Sequence, residues 1–196
     1  MEAQRIRCNR KGRAGNYMKM DIPKIAVFDL DGTLWRINSH LSILNEYYQT
    51  HLFTSLGAKI VSKVSYHFFE KILYRYYAEI PQEFIENFNP PFQESALRIL
   101  NKSREAGFVP LIVSNAPCEI VCQAAKRLKM DYLCAKRGKK AKEFEANYRY
   151  NVLMVCTDNK TDCDLLNIAE IRIIYPYKNR YFFKRKYPEA YYMEDE

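Results

Sequence analysis

The sequence predicts an α/β fold: a Rossmann-like, doubly wound parallel sheet with an α-helical cap inserted after its first strand. Two observations predict it. Short apolar runs, each suited to a buried strand, alternate with stretches of helical periodicity. The alternation is interrupted once, over residues 38–92, by a region with helical spacing and no convincing strand.

The first run, Ile25-Ala26-Val27-Phe28, is apolar throughout and ends in acidic residues and glycine, as a strand buried on both faces should. The interrupting segment follows. Leu56, Ile60, Val64, Phe68, Ile72 and Tyr76 recur at helical spacing, and Asn89-Pro90-Pro91 closes the segment with a breaker. Its many aromatics, among them Tyr47, Tyr48, Phe68, Phe69, Tyr74, Tyr76 and Tyr77, read first as the core of a helical bundle and second as a lining for a leaving group. An amphipathic stretch around Leu97 and Leu100 runs to Gly107, which can end a helix. Val109–Val113 is the second strand, and Ile120, Val121, Ala124, Ala125 and Leu128 mark the helix after it. Val152–Val155 is the third strand and Ile171–Ile174 a weaker fourth. The expected organisation is a basic, disordered tail over 1–20, a core made of 21–37 and 93–196, and a cap over 38–92, with a frayed end at 194–196.

At 196 residues and 48% hydrophobic, the chain is sized for one core-bearing domain with an insertion. The most apolar stretch, Leu52–Phe69, is broken by Lys59 and Lys63, so no membrane span is expected. Residues 1–20 contain no apolar leader segment, so a cytoplasmic protein with its six cysteines reduced is the expectation. Cys118 and Cys122 share a helix face, but no further pair of zinc ligands accompanies them in sequence. The net charge is +8, and residues 1–19 supply +5 of it. The remaining basic clusters, 136–142 and 178–186, read as solvated surface in preference to a nucleic-acid interface.

Three strand ends carry the chemistry. The first ends in Asp29-Leu30-Asp31-Gly32-Thr33, the second in Ser114-Asn115, and the third in Thr157-Asp158, with Asp162 close behind. Ligands of open α/β sheets bind beyond the carboxyl ends of the strands, so these residues converge on one crevice. Asp29, Asp31 and Asp158 concentrate negative charge that a cation must offset, and hard carboxylate oxygens suit Mg²⁺. A carboxylate there can act as nucleophile on phosphorus while its neighbour serves as general acid and base. Ser114 and a lysine would bind phosphate oxygens. Arg36, near the catalytic loop, is a candidate for touching substrate.

In these segments the chain resembles the haloacid dehalogenase-like superfamily: Asp29–Thr33 is similar to its first motif, Ile112–Asn115 to its second, and Thr157–Asp162 to its fourth. Residues 91–132 resemble the phosphoserine-phosphatase-like branch, whose cap is inserted after the first motif. The resemblance implies Asp29 as nucleophile, Asp31 as acid–base, and Ser114 as phosphate ligand, with Thr33 and Asn115 beside the substrate. It implies Mg²⁺ held by Asp29, Asp31 and Asp158, with Asp162 nearby. Asp31 marks the phosphotransfer members. The third-motif lysine is open among Lys136, Lys139, Lys140 and Lys142; Lys140 is chosen because Gly138 precedes it and Phe144 anchors it one turn later. Thr157 stands where the fourth motif usually has glycine, Lys160 is poised to compete for a carboxylate, and Asn38 replaces the glutamate of phosphoserine-specific members. The implied substrate is a small-molecule phosphate monoester. The alternatives are a phosphotransferase or polynucleotide-end phosphatase, or a catalytically silent nucleic-acid-binding or scaffold protein on the same fold.

Overall fold

The computed structural model describes residues 22–177 and 179–193. The basic tail, Cys8 and the chain end at 194–196 lie outside the described residues, so the readings made for them stand as expectations. Six parallel strands form one sheet in the order β3-β2-β1-β4-β5-β6: β1 (Lys24–Phe28), β2 (Phe108–Ser114), β3 (Asp131–Cys134), β4 (Val152–Thr157), β5 (Ile171–Ile174) and β6 (Tyr191–Tyr192). The order reverses direction between β1 and β4, which is the topological switch point of the doubly wound fold.

The central strands are apolar on both sides because both faces of the sheet are covered. Ile25, Val27, Leu111, Val113, Leu153 and Val155 pack with Phe144, Leu165 and Phe183 in one buried cluster. The alternate residues Ala26, Phe28 and Ile112 are fully buried as well. Pro110 sits inside β2 but ahead of the point where β3 begins to pair, at Leu111↔Asp131, so its missing N–H removes no bond to β3.

β3 and β6 were not foreseen. Both lie at sheet edges and are short, with too few residues to show a period. The helix before β3 (Cys118–Leu128) ends on Lys129 in the left-handed conformation, φ 52°, where glycine would have signalled the stop.

The expected reduced state of all the cysteines is corrected for one pair. Cys118 and Cys134 form a disulfide, with Cα atoms 5.6 Å apart. Register brings them together: Cys134 pairs with Ser114, and Cys118 opens the helix four residues after that serine. Cys122, Cys156 and Cys163 are free thiols, so the zinc reading of Cys118 with Cys122 has no support.

The chain divides into two compact units, one of them Ile37–Pro90 and the other built from the segments on either side. The inserted unit contains α1 (Ser39–Tyr47), a 3-10 turn at Leu52–Thr54, α2 (Leu56–Val64), α3 (Tyr66–Tyr77) and α4 (Gln82–Asn87). Asn38 caps α1 by accepting from Leu41 N at 3.0 Å, which is its structural use. The periodic run over 56–76 is two helices, broken at Ser65, whose hydroxyl accepts from Phe68 N and caps α3. The buried stripe of α3 is Phe69, Leu73 and Tyr77. Phe68, Tyr74 and Tyr76 are exposed, so the bundle-core reading holds for only part of the aromatic set. Tyr47, Tyr48, Phe53, Tyr76 and Phe84 instead form an edge-to-face array with centroids about 5–6 Å apart.

His40 lies within this unit between Tyr74 and Tyr77, ring centroids 5.1 and 5.4 Å away. Burial pushes its imidazole down to about 4 from 6.5. The folded state thus holds it neutral while the unfolded state takes up a proton between those values. The stability it contributes is complete above pH 6.5 and is lost as pH falls towards 4. Denaturant unfolding should show a loss of roughly 1 kcal/mol per pH unit across that window from this group. His40→Phe, which cannot titrate, should reduce the difference between pH 7 and pH 5; an identical difference in both proteins would contradict it.

Candidate active site

Beyond the core of the sheet the chain supplies α5 (Glu94–Glu105), α6 (Cys118–Leu128), α7 (Lys140–Glu145), α8 (Cys163–Ile168) and α9 (Arg180–Lys186). The site lies at the carboxyl ends of β1, β2 and β4, beside the switch point. Asp29 directly follows β1, and its N–H continues the ladder by donating to Cys156 O at 3.0 Å. Its Oδ1 accepts from Leu30 N at 2.8 Å. The loop then turns back sharply: Leu34 N donates to Asp29 O, and Trp35 N donates to Leu30 O.

Gly32 makes this turn possible, with φ +76°. A Cβ there would collide with the Asp158 carboxylate, so glycine also allows the β1 and β4 loops to close on each other. The Thr33 hydroxyl, fully buried, donates to Asp158 Oδ1 at 3.4 Å. Gln93 braces the loop from outside, donating to Thr33 O at 2.6 Å and to Gly32 O at 3.3 Å. Tyr177 donates to Gln93 Oε1 at 2.6 Å, and the Arg36 guanidinium stands over the Tyr177 ring at 5.5 Å. No sequence motif marks Gln93 or Tyr177; both follow from tertiary contact alone.

Lys140 is the centre of the site. Its ammonium is fully buried and donates to Asp29 Oδ1 at 2.9 Å and to Asp162 Oδ2 at 2.8 Å. Of the four candidate lysines it is the buried one; Lys136, Lys139 and Lys142 are exposed. Gly138 turns the chain at φ +69° just ahead of α7. Phe144 is fully buried one turn on, stacked on Tyr148 with centroids 5.5 Å apart. Asp164 of α8 accepts from Ala141 N at 3.0 Å, fixing the start of this short helix.

Thr157 replaces glycine to structural effect. Its hydroxyl donates to Asp162 Oδ2 at 2.7 Å and accepts from Asn159 N at 3.1 Å, so one side chain sets both ends of the β4 loop. The expectation that Lys160 competes for a carboxylate is corrected: its ammonium sits over the Phe182 ring at 4.5 Å. Ser114, at the end of β2, is buried and accepts from Ala116 N at 3.2 Å. Asn115 beside it is partly exposed.

Burial dominates the electrostatics of the site. Burial raises Asp29 well above the ordinary carboxylate range; Lys140 pulls it back, while Asp162 and Asp158 push it up. Burial likewise pushes Asp158 up to about 6, with Asp162 and Asp31 adding to the rise. Lys140 is desolvated too, but Asp162 and Asp29 hold its proton firmly, well above the usual lysine value. Asp29 and Asp162 share the Lys140 ammonium, and Asp158 lies close enough to raise Asp29. Among the described residues no three acidic, His or Cys side chains are gathered tightly enough to enclose an ion by themselves. The donor set nonetheless fits Mg²⁺, which uses one or two carboxylates and completes its shell with water and phosphate oxygens. A divalent cation would offset the neighbouring carboxylate charges that add to the rise burial causes at Asp29 and Asp158.

A family model described as haloacid dehalogenase-like hydrolase matches residues 26–162, more than half of the chain. Among solved structures, the chain is similar to a phospho-aspartyl intermediate analogue of phosphoserine phosphatase, TM-score 0.63, at 16% identity over 89% of this chain and 95% of that one. It is also similar to a HAD family hydrolase from Salmonella enterica serovar Typhi, TM-score 0.64 and 16% identity, covering 83% and 66% of the two chains. A phosphoserine phosphatase from T. onnurineus matches with TM-score 0.55 and 19% identity over 90% and 93%. No curated protein matches the sequence. At these identities the solved structures speak for the fold, and the family model speaks for membership: the chain belongs to the haloacid dehalogenase-like hydrolase family.

Proposed function

We propose that this hydrolase is a Mg²⁺-dependent phosphatase that cleaves a small-molecule phosphate monoester through an aspartyl-phosphate on Asp29. One observation carries the reading: a desolvated carboxylate at the end of β1 is held at 2.9 Å by a buried ammonium. Lys140 favours the ionised form of Asp29 against the burial that disfavours it, and a carboxylate ionised in such dry surroundings is poorly solvated and reactive.

In the first step an Asp29 oxygen attacks phosphorus and the ester bond to the leaving alcohol breaks, with Asp31 donating the proton to that oxygen. In the second, Asp31 takes a proton from water, the water oxygen attacks phosphorus, and the bond to Asp29 breaks to release inorganic phosphate. Ser114, Asn115, Thr33 and Lys140 serve as donors to the phosphate oxygens. Arg36 is assigned to the leaving group. Mg²⁺ would be held by Asp29, Asp158 and the Asp31 main-chain carbonyl beside Asp162, and when bound it supplies positive charge against the phosphate dianion. Asp162 also positions Lys140, which it grips at 2.8 Å.

The direct test uses the full chain with p-nitrophenyl phosphate. Mg²⁺-dependent turnover is expected, abolished by EDTA and by Asp29→Asn, with Asp31→Asn slower by about 10²–10⁴-fold for substrates whose leaving group needs a proton. Turnover that persists in EDTA, or that Asp29→Asn leaves equal, would overturn the reading. The ion-pair centre makes a separate prediction. Lys140→Met strands two buried carboxylates and should lower unfolding free energy by roughly 3–5 kcal/mol. Thr157→Val, which removes a single hydrogen-bonding hydroxyl, should cost roughly 1–3 kcal/mol. Denaturant melts in EDTA measure both.

A further inference from the structure

In the inserted unit, α2 is built the wrong way round for a helix that stabilises a soluble bundle. At 3.6 residues per turn, Leu56, Ile60 and Val64 form one stripe with Lys59 and Lys63 along its edge. The opposite side carries the small residues Ala58 and Ser62, and these are the partly covered ones. The large apolar residues face outward: Leu56 is 74% exposed, Ile60 53% and Val64 82%. None of the nine residues of α2 is buried. Leu52, 70% exposed, and Phe68, 58% exposed, are large uncovered apolar residues just before and just after α2 in sequence. The same unit holds a groove of about 620 Å³ lined by Leu52, Phe53, Ala58, Val61, Phe69 and Ile72. Scattered exposed apolar residues need no explanation, but three large ones along one face of a single helix mark a binding surface.

Charge identifies the occupant. From Tyr47 to Phe69 the sequence contains no Asp or Glu, while Lys59 and Lys63 flank the stripe. A second copy of the same face would set lysines against lysines with no acid in the segment to pair them. An anionic bilayer surface satisfies both halves of the pattern: acyl carbons take Leu56, Ile60 and Val64, and the lysines reach back to the headgroups. The helix is far too short to span, and among the described residues no helix is long and apolar enough to cross a membrane. We infer that the outward face of α2, with Leu52 and Phe68, docks the protein on the surface of an anionic phospholipid membrane.

Vesicle co-sedimentation of the full chain tests this without reference to catalysis. Binding is expected to vesicles of phosphatidylcholine with roughly one quarter phosphatidylglycerol, and weaker binding to phosphatidylcholine alone. The triple variant Leu56→Gln, Ile60→Gln, Val64→Gln should bind the mixed vesicles at least about ten-fold less, since it keeps every charge and loses the apolar stripe. Lys59→Glu with Lys63→Glu should erase the preference for the anionic vesicles. Circular dichroism reports that each variant stays folded, and Val64→Gln alone, at the most exposed position, should still weaken binding by about three-fold. Absence of wild-type binding to either vesicle overturns the inference. Undiminished binding by the triple variant also overturns it, because the basic residues at 1–19 would then be responsible. Self-association abolished by the triple variant, with no vesicle binding, would assign the face to a second copy instead.

Discussion

A buried ammonium set between two buried carboxylates is the interaction on which the rest of the site depends. Lys140 comes from the start of α7, Asp29 from the end of β1, and Asp162 from the turn after β4. Three segments distant in sequence are thereby fixed to one point. Taking these charges out of water costs several kcal/mol per ion, which only short, well-directed bonds return. The surrounding detail serves that geometry: Thr157 aims Asp162, Asp164 fixes the start of α7, and Phe144 locks its far end in the core. Asp158 stands beside this centre, and burial, with Asp162 adding to it, raises its carboxyl to about 6.

The sheet topology determines that such a centre can exist. Reversal of strand order at β1 and β4 opens a crevice at their carboxyl ends. Gly32, with φ +76° and no room for a Cβ, lets the β1 loop close against Asp158. The same sheet brings Cys134 opposite Ser114, and the Cys118–Cys134 bond ties the loop after β2 to the edge strand.

Three strands were legible in the sequence because their centres are buried on both faces and read as apolar runs, while β5 read more weakly because Arg172 interrupts it and most of it is only partly buried. β3 and β6 were not, being short edge strands with no alternation to detect. The grouping of Asp29, Ser114 and Asp158 was legible from their places at strand ends. The bracing by Gln93 and Tyr177 was not, since two ordinary polar residues 84 positions apart carry no local signal. The disulfide escaped for the same reason: it exists only through the pairing of β2 with β3. In the inserted unit the helical period was correct but its polarity was misread. Apolar spacing reveals that a face exists and leaves open what covers it. The stripe Leu56–Val64 faces outward, whereas Phe69, Leu73 and Tyr77, one residue out of phase with the run that continues it, face inward.

The claim that Asp29 is the nucleophile is tested most directly by trapping its covalent intermediate. Asp31→Asn should still be phosphorylated by p-nitrophenyl phosphate, whose leaving group departs without a proton, but should be slow to activate water. Acid-quenched samples, digested and read by mass spectrometry, are expected to carry one phosphoryl group on the peptide that contains Asp29. Nitrophenol released with no adduct at any quench time, or a phosphoryl group found on a different residue, would contradict it.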